Sequence, residues 1–142
     1  MRPNDHRFFD KDPSQIDNEE LNHYLKHNPS RTSIKSIEHL AQHSSHFDGH
    51  FRKLDYGHKG NQQQYGSDTP PAHDLSAITS KIYMYYGDND FLCTLKNIEM
   101  LAKALQDNKT RFYPGWGHFS FLLGKNRQAF MNDLLTDIEN DS

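Results

Sequence analysis

A single cysteine, Cys93, stands among the 142 residues. An internal disulfide is thereby excluded, and cysteine usage leaves the redox compartment open. Hydrophobic residues make up only 34% of the chain, against roughly 45–50% apolar in an ordinary globular sequence. Mean hydropathy is correspondingly low, at -0.96. Either part of the chain is loose, or its core is completed by residues the sequence does not contain. No apolar run approaches the ~20 residues that a membrane-spanning helix needs, so no transmembrane segment is expected. The opening Met1-Arg2-Pro3-Asn4-Asp5-His6 leads into no apolar stretch and gives no sign of a signal peptide. Basic residues are not in excess, since 16 Lys and Arg face 19 Asp and Glu for a net charge of -3. Without a basic stripe or an RNA-binding signature, nucleic acid is not an expected partner. None of the eleven serines has glycine both two residues before and two after it. The tight turn that presents a hydrolase serine needs those glycines, so the chain offers no recognisable serine nucleophile.

What is present concentrates in the last third. Lys81-Ile82-Tyr83-Met84-Tyr85-Tyr86 is apolar, aromatic and β-branched, and it stops at the turn residues Gly87-Asp88-Asn89-Asp90. It reads as a buried strand. A helix over about 94–106 follows, with Leu95, Ile98, Leu101, Ala102 and Leu105 at helical spacing. A short strand at 111–113, a loop Pro114-Gly115-Trp116-Gly117-His118 and a helix over about 127–139 complete the run. This β–α–β–α order implies a parallel pair with a crossover helix, at the edge of a larger sheet. Earlier in the chain, helices are expected over 17–27 and 33–44, the second capped by Thr32 or Ser33 with an apolar stripe of Ile34, Ile37, Leu40 and Ala41. Residues 51–56 suggest a short strand, and Gly57 to Gly66 reads as a polar loop. The first fifteen or so residues are polar and without period, and a loose tail is expected there.

The chemistry rests on Asp90 and His118, 28 positions apart. An acid just past the C-terminal end of a buried strand lies where open α/β sheets gather site residues. A histidine on the loop after the next strand can act as a general base if an acid orients it. A helix cap for Asp90 and a plain loop position for His118 remain open on spacing alone, and Asp88 and Asp90 also suit a turn. Cys93, at the expected start of a helix, is either a nucleophile in principle or a small apolar filler. The ten histidines include i, i+4 pairs at His23/His27 and His39/His43. Such pairs can hold zinc, but no carboxylate or cysteine stands around them at a recognised spacing, so no metal is assigned. Trp116, Phe119, Phe121 and Leu122 either line an acyl site or pack the last loop. Asn108-Lys109-Thr110 is a glycosylation acceptor sequence, as is Asn140-Asp141-Ser142.

Several motifs together resemble one family. They are Tyr24-Leu25-Lys26-His27-Asn28-Pro29-Ser30-Arg31-Thr32-Ser33, His39-Leu40-Ala41-Gln42, and Phe51-Arg52-Lys53-Leu54-Asp55-Tyr56-Gly57 with Asn61 and Tyr65-Gly66. Thr69-Pro70-Pro71-Ala72-His73-Asp74-Leu75-Ser76, Tyr86-Gly87-Asp88-Asn89-Asp90-Phe91-Leu92 and Gly117-His118-Phe119-Ser120-Phe121 continue the series in order. The chain resembles the C-terminal part of an acid lipase of the α/β-hydrolase superfamily, the group of gastric, lysosomal and insect lipases. The likeness runs from about Leu21 to about Leu135. It departs at Cys93-Thr94-Leu95, at Arg31, at Ser80-Lys81, and at Ser120, which replaces an Asp.

The resemblance implies an α/β fold, the last β–α–β–α units of an α/β-hydrolase, preceded by a helical cap or lid remnant. The expected division is a loose tail over 1–16, a cap-derived segment over 17–66 and a core portion over 67–142. The resemblance also implies Asp90 as triad acid and His118 as triad base, with the nucleophile Ser absent and no cofactor. The implied activity, in a full-length parent, is hydrolysis of triacylglycerol or sterol esters at a lipid interface. The isolated chain is expected to be inactive. A secreted or lysosomal setting and use of Asn108 for a glycan are further implications. A non-catalytic remnant that binds lipid or a lipase, and a histidine-rich metal-binding protein, are the alternatives.

Overall fold

The computed structural model describes residues 10–28, 31–45 and 50–141. Residues 1–9 of the expected tail lie outside them, as do Pro29 and Ser30 of the first motif. The elements in chain order are α1 (Asn18–Leu25), α2 (Ile34–Ser45), α3 (Gly57–Tyr65), β1 (Ile82–Gly87), α4 (Leu95–Ala104), β2 (Asn108–Tyr113), α5 (Ser120–Leu123) and α6 (Arg127–Asn140). They fall into two compact units. One comprises the described residues of Met1–Pro29, Lys81–Lys103 and Asp107–Ser142, and the other those of Ser30–Ser80 and Ala104–Gln106. α1 groups with the sheet, and α2 and α3 fall in the other unit.

In the first unit β1 and β2 pair in parallel, in register from Ile82 opposite Asn108 to Gly87 opposite Tyr113. α4 is the crossover between them. The second strand starts three residues earlier than the sequence suggests, because its polar half, Asn108 to Thr110, is paired all the same. α6 is tied to both strands by a polar clamp. Arg111 Nε and Nη2 donate to the two carboxylate oxygens of Asp137 at 2.6 and 2.7 Å, and the Tyr85 hydroxyl adds a third bond at 2.8 Å. Beside it the Tyr113 hydroxyl donates to Asp133 at 2.6 Å. Phe121 meets Tyr113, Trp116 and Phe130 edge to face at 5.1–5.6 Å between ring centres, and the Tyr113 and Trp116 rings lie tilted to each other at 4.7 Å.

The expected loose tail does not hold for residues 10–16. Asp10 forms an antiparallel bridge with Asp90, and Lys11 N–H donates to Asn89 O at 2.9 Å. The Asn89 side chain accepts from Asp12 N–H and donates to Asp12 O. At the other end Ile16 bridges Gly124, and Asp17 N–H donates to Leu123 O. Ile16 is 2% exposed and forms a small core with Leu21 and Leu123. The strap is polar in sequence because main-chain and amide groups hold it, and its one apolar anchor cannot show a period. From it α1 departs, with Asp17 capping the amides of Glu19 and Glu20.

In the second unit Ser33 caps α2. The stripe of Ile34, Ile37 and Leu40 faces solvent, at 75%, 55% and 73% exposure. The expected strand at 51–56 reduces to one antiparallel bridge, Arg52 to Ala72. The expected polar loop of 57–66 is instead α3. It has no apolar face to announce it, and a polar network about Asn61 sets its ends. Asn61, 1% exposed, accepts from Tyr56 N–H and donates to Asp55 Oδ1 and Asp68 O. Gly66, at φ +70°, ends the helix in the left-handed region.

Candidate active site

Asp90 leaves the end of β1 in a turn, and its backbone bridge to Asp10 fixes that turn from outside. Its Oδ1 accepts from the amides of Leu92 and Cys93 at 2.7 and 3.0 Å. Its Oδ2 is left facing His118, whose Nδ1 lies 3.1 Å away. The carboxylate is buried, whereas the His118 ring is 40% exposed. The two residues are therefore paired, and Asp90 also performs the capping role that spacing left open. The neighbouring Asp88 does something separate, accepting from Gly115 N–H at 2.7 Å and bracing the histidine loop.

Two glycines permit the approach of loop and strand. A Cβ on Gly87 would overlap the carbonyl of Trp116, and one on Gly117 would overlap the carboxyl group of Asp10. The loop lies so close that Asn89 N–H reaches Trp116 O at 3.0 Å. Ser120 Oγ, buried, accepts from Gly117 N–H at 2.9 Å and closes the loop from the other side.

Asp10 is the residue that sequence reasoning missed. It is fully buried, its Oδ1 accepts from Phe119 N–H at 3.2 Å, and Oδ2 has no hydrogen-bond partner among the described residues. Burial pushes its carboxyl above the ordinary carboxylate range, against the pull of the Phe119 and His118 amides. The one sequence signal was indirect: a glycine immediately before the histidine leaves room for a neighbour.

The electrostatics of the pair follow from the same contacts. Burial works to raise Asp90, but the bonds from His118, Cys93 N–H and Leu92 N–H outweigh it, and the net direction is down. The Asp90 carboxylate raises His118, and a contact with the Cys93 side chain raises it further, to about 10. Cys93 is exposed. The ligating atoms of Asp90, Cys93 and His118 all lie within 4.8 Å of one another.

The remaining candidates make contacts of their own. His39 Nε2 pairs with Arg52 O at 2.8 Å, while His43 uses Nδ1 on His39 O and Nε2 on Arg52 N–H. These rings fasten α2 to the 50–53 segment. The His23 and His27 rings are 5.4 Å apart. Trp116 and Phe121 pack the aromatic cluster, Phe119 sits against Tyr24, and Leu122 is exposed. Asn108 Nδ2, the atom a glycan would take, donates to Ala102 O at 2.8 Å.

No protein-family model matches the chain. Curated relatives do. Lipase 3 of Drosophila melanogaster is 29% identical over 125 residues, covering 86% of this chain and 31% of that protein. Lipase lipl-1 of Caenorhabditis elegans is 30% identical over 122 residues, covering 81% and 29%. Triacylglycerol lipase 1 of Arabidopsis thaliana is 33% identical over 107 residues, covering 73% and 27%. The chain thus spans less than a third of the length of each.

Proposed function

The chain belongs to the acid lipase family, and from that premise we propose that it supplies the acid and base of a serine-hydrolase triad, Asp90 and His118, to an α/β-hydrolase acting on neutral lipid esters. The observation that carries this reading is the 3.1 Å bond from His118 Nδ1 to the buried Asp90 carboxylate. The relatives' names supply the reaction class. On this reading residues 67–142 are the C-terminal core portion and 17–66 derive from a cap or lid. The serine and the oxyanion amides come from sequence other than these residues.

The chemistry then divides as follows. Nδ1–H of His118 donates to Asp90, which fixes the tautomer and leaves Nε2 to take the serine proton. The serine oxygen attacks the ester carbonyl, Nε2–H returns the proton to the departing alkoxide, and water repeats the cycle on the acyl-enzyme. A base working near neutrality cannot have a pKa of about 10, the level at which His118 stands here. Covering the exposed ring with the rest of a hydrolase fold lowers it, because burial disfavours imidazolium.

The first test is the size of the native product, by immunoblot with an antibody to residues 110–125. A product roughly three times the 16.6 kDa of this chain, the ratio set by the 31% coverage, is expected. In that product His118→Ala and Asp90→Asn should each lower kcat/KM on a short-chain ester by about 10^4-fold. The 142-residue chain should show no His118-dependent turnover. Full activity in His118→Ala would remove the triad reading. A product of 16.6 kDa that binds lipid without turnover would favour the non-catalytic alternative. A secreted or lysosomal setting is part of the same proposal and rests on the family resemblance.

A further inference from the structure

We propose that Asp90, Cys93 and His118 form a zinc site, and that zinc bound there withdraws the base of the triad. Among the described residues this is the one group of three or more histidine, cysteine or acidic side chains whose ligating atoms converge. Its donors are a thiolate, an imidazole and a carboxylate. A thiolate with an imidazole selects zinc over magnesium or calcium, which prefer all-oxygen shells. Tetrahedral zinc, with bonds of about 2.0–2.3 Å, holds its ligand atoms about 3.3–3.8 Å apart. The ligand atoms now lie within 4.8 Å of one another, with His118 Nδ1 3.1 Å from Asp90 Oδ2, and the two exposed side chains, Cys93 and His118, are the ones that adjust to the metal.

The site is built as well as placed. Asp90 and Cys93 are three residues apart on one turn, and Asp90 Oδ1 is anchored by the amides of Leu92 and Cys93. The carboxylate is therefore oriented by outer hydrogen bonds, as metal-ligating carboxylates are. His118 arrives on the separate loop that Gly87 and Gly117 allow to approach. The fourth tetrahedral position is left for water. On binding, the Cys93 thiol and the His118 imidazolium each give a proton to solvent, and the sulfur and imidazole nitrogen lone pairs go to the metal, so charge and atoms balance without an oxidant. The paired histidines elsewhere do not compete on equal terms. Both ring nitrogens of His43 and Nε2 of His39 already make hydrogen bonds, and His23 with His27 has no third donor converging on it among the described residues.

Binding stands on this geometry alone, and the inhibitory consequence rests on the triad reading. The experiment titrates zinc against a chromophoric chelator with the 142-residue chain at low micromolar concentration, then repeats the titration with cobalt. One equivalent of zinc and a sulfur-to-cobalt charge-transfer band are expected. Outer hydrogen-bonding partners alone change metal affinity by about 10–100-fold, so Cys93→Ser should weaken zinc binding at least about tenfold and remove the band. His23→Ala combined with His27→Ala should leave both unchanged. Absence of the cobalt band in the unaltered chain overturns the site without requiring any variant to fold. So does zinc affinity unchanged in Cys93→Ser, or lost in the His23/His27 variant. Zinc binding by a full-length product that lacks His118-dependent esterase activity would fault the triad and leave the metal site standing.

Discussion

His118 has two neighbours that pull its proton affinity in the same direction, Asp90 first and Cys93 second. Its pKa is raised from 6.5 to about 10, so its contribution to stability is complete below about pH 6.5 and is lost as pH rises through about 10. The melting temperature of the chain should fall across that window, and His118→Ala should flatten the slope. Nitrogen-detected NMR titration of the ring checks the origin, with Cys93→Ser lowering the midpoint and Asp90→Asn lowering it further. Gly117 supports a second expectation. Its substitution by Ala drives a methyl group into Asp10, and overpacking of that kind costs about 1–3 kcal/mol. A cycle with Asp10→Ala should show strong non-additivity. If the two substitutions simply add, Asp10 does not press on this loop. Asp90 and His118 could be singled out from the sequence, because each follows a recognisable strand and the family resemblance bears on both. Asp10 could not, since its place is set by a main-chain bridge that leaves no pattern in side-chain type.

The elements were legible where an apolar period existed and illegible where polar groups did the holding. α1, α4 and α6 carry leucine, isoleucine or phenylalanine at helical intervals, and β1 is an unbroken apolar run. α3 has none of these, and Asn61 fixes it through hydrogen bonds that span its two ends. The polar half of β2 was likewise hidden, because parallel pairing there needs only the main chain. The most exposed weakness at this scale is the clamp between α6 and the strands. Arg111 holds Asp137 down to about 2, with the Tyr85 hydroxyl adding to the effect against the cost of burial. A depressed carboxylate contributes stability above its ordinary value of 3.8 and loses it as pH falls toward 2. Arg111→Met should therefore melt several degrees below the parent at pH 7, and the two curves should converge as pH approaches 2. A constant offset across that range would mean that packing, not the charge pair, ties α6 to the sheet.

At the scale of the molecule the low hydrophobic content noted in the sequence has a counterpart in what is left uncovered. The sheet has two strands among the described residues, and an isolated pair of strands is marginal in water. Within the unit that carries it, Phe112, Leu122, Leu135 and Ile138 are 47–58% exposed, while the buried apolar set is short: Ile16, Leu21, Met84, Tyr113, Trp116 and Leu123. In the other unit the entire stripe of α2 lies open. Single exposed apolar residues are ordinary, but grouped ones mark surfaces that associate, and an open strand edge offers unpaired main-chain groups to a second chain. The 142 residues should therefore bind a hydrophobic dye in native buffer and grow in apparent mass with concentration, read by light scattering from low to high micromolar. Substituting Leu135 and Ile138 on α6 by Glu should weaken association without disturbing the Arg111–Asp137 clamp, which uses a different side of that helix. A dye-silent, concentration-independent monomer with a sharp melting transition would show that these faces need no partner. It would also take away the physical argument that the fold is completed by sequence other than its own.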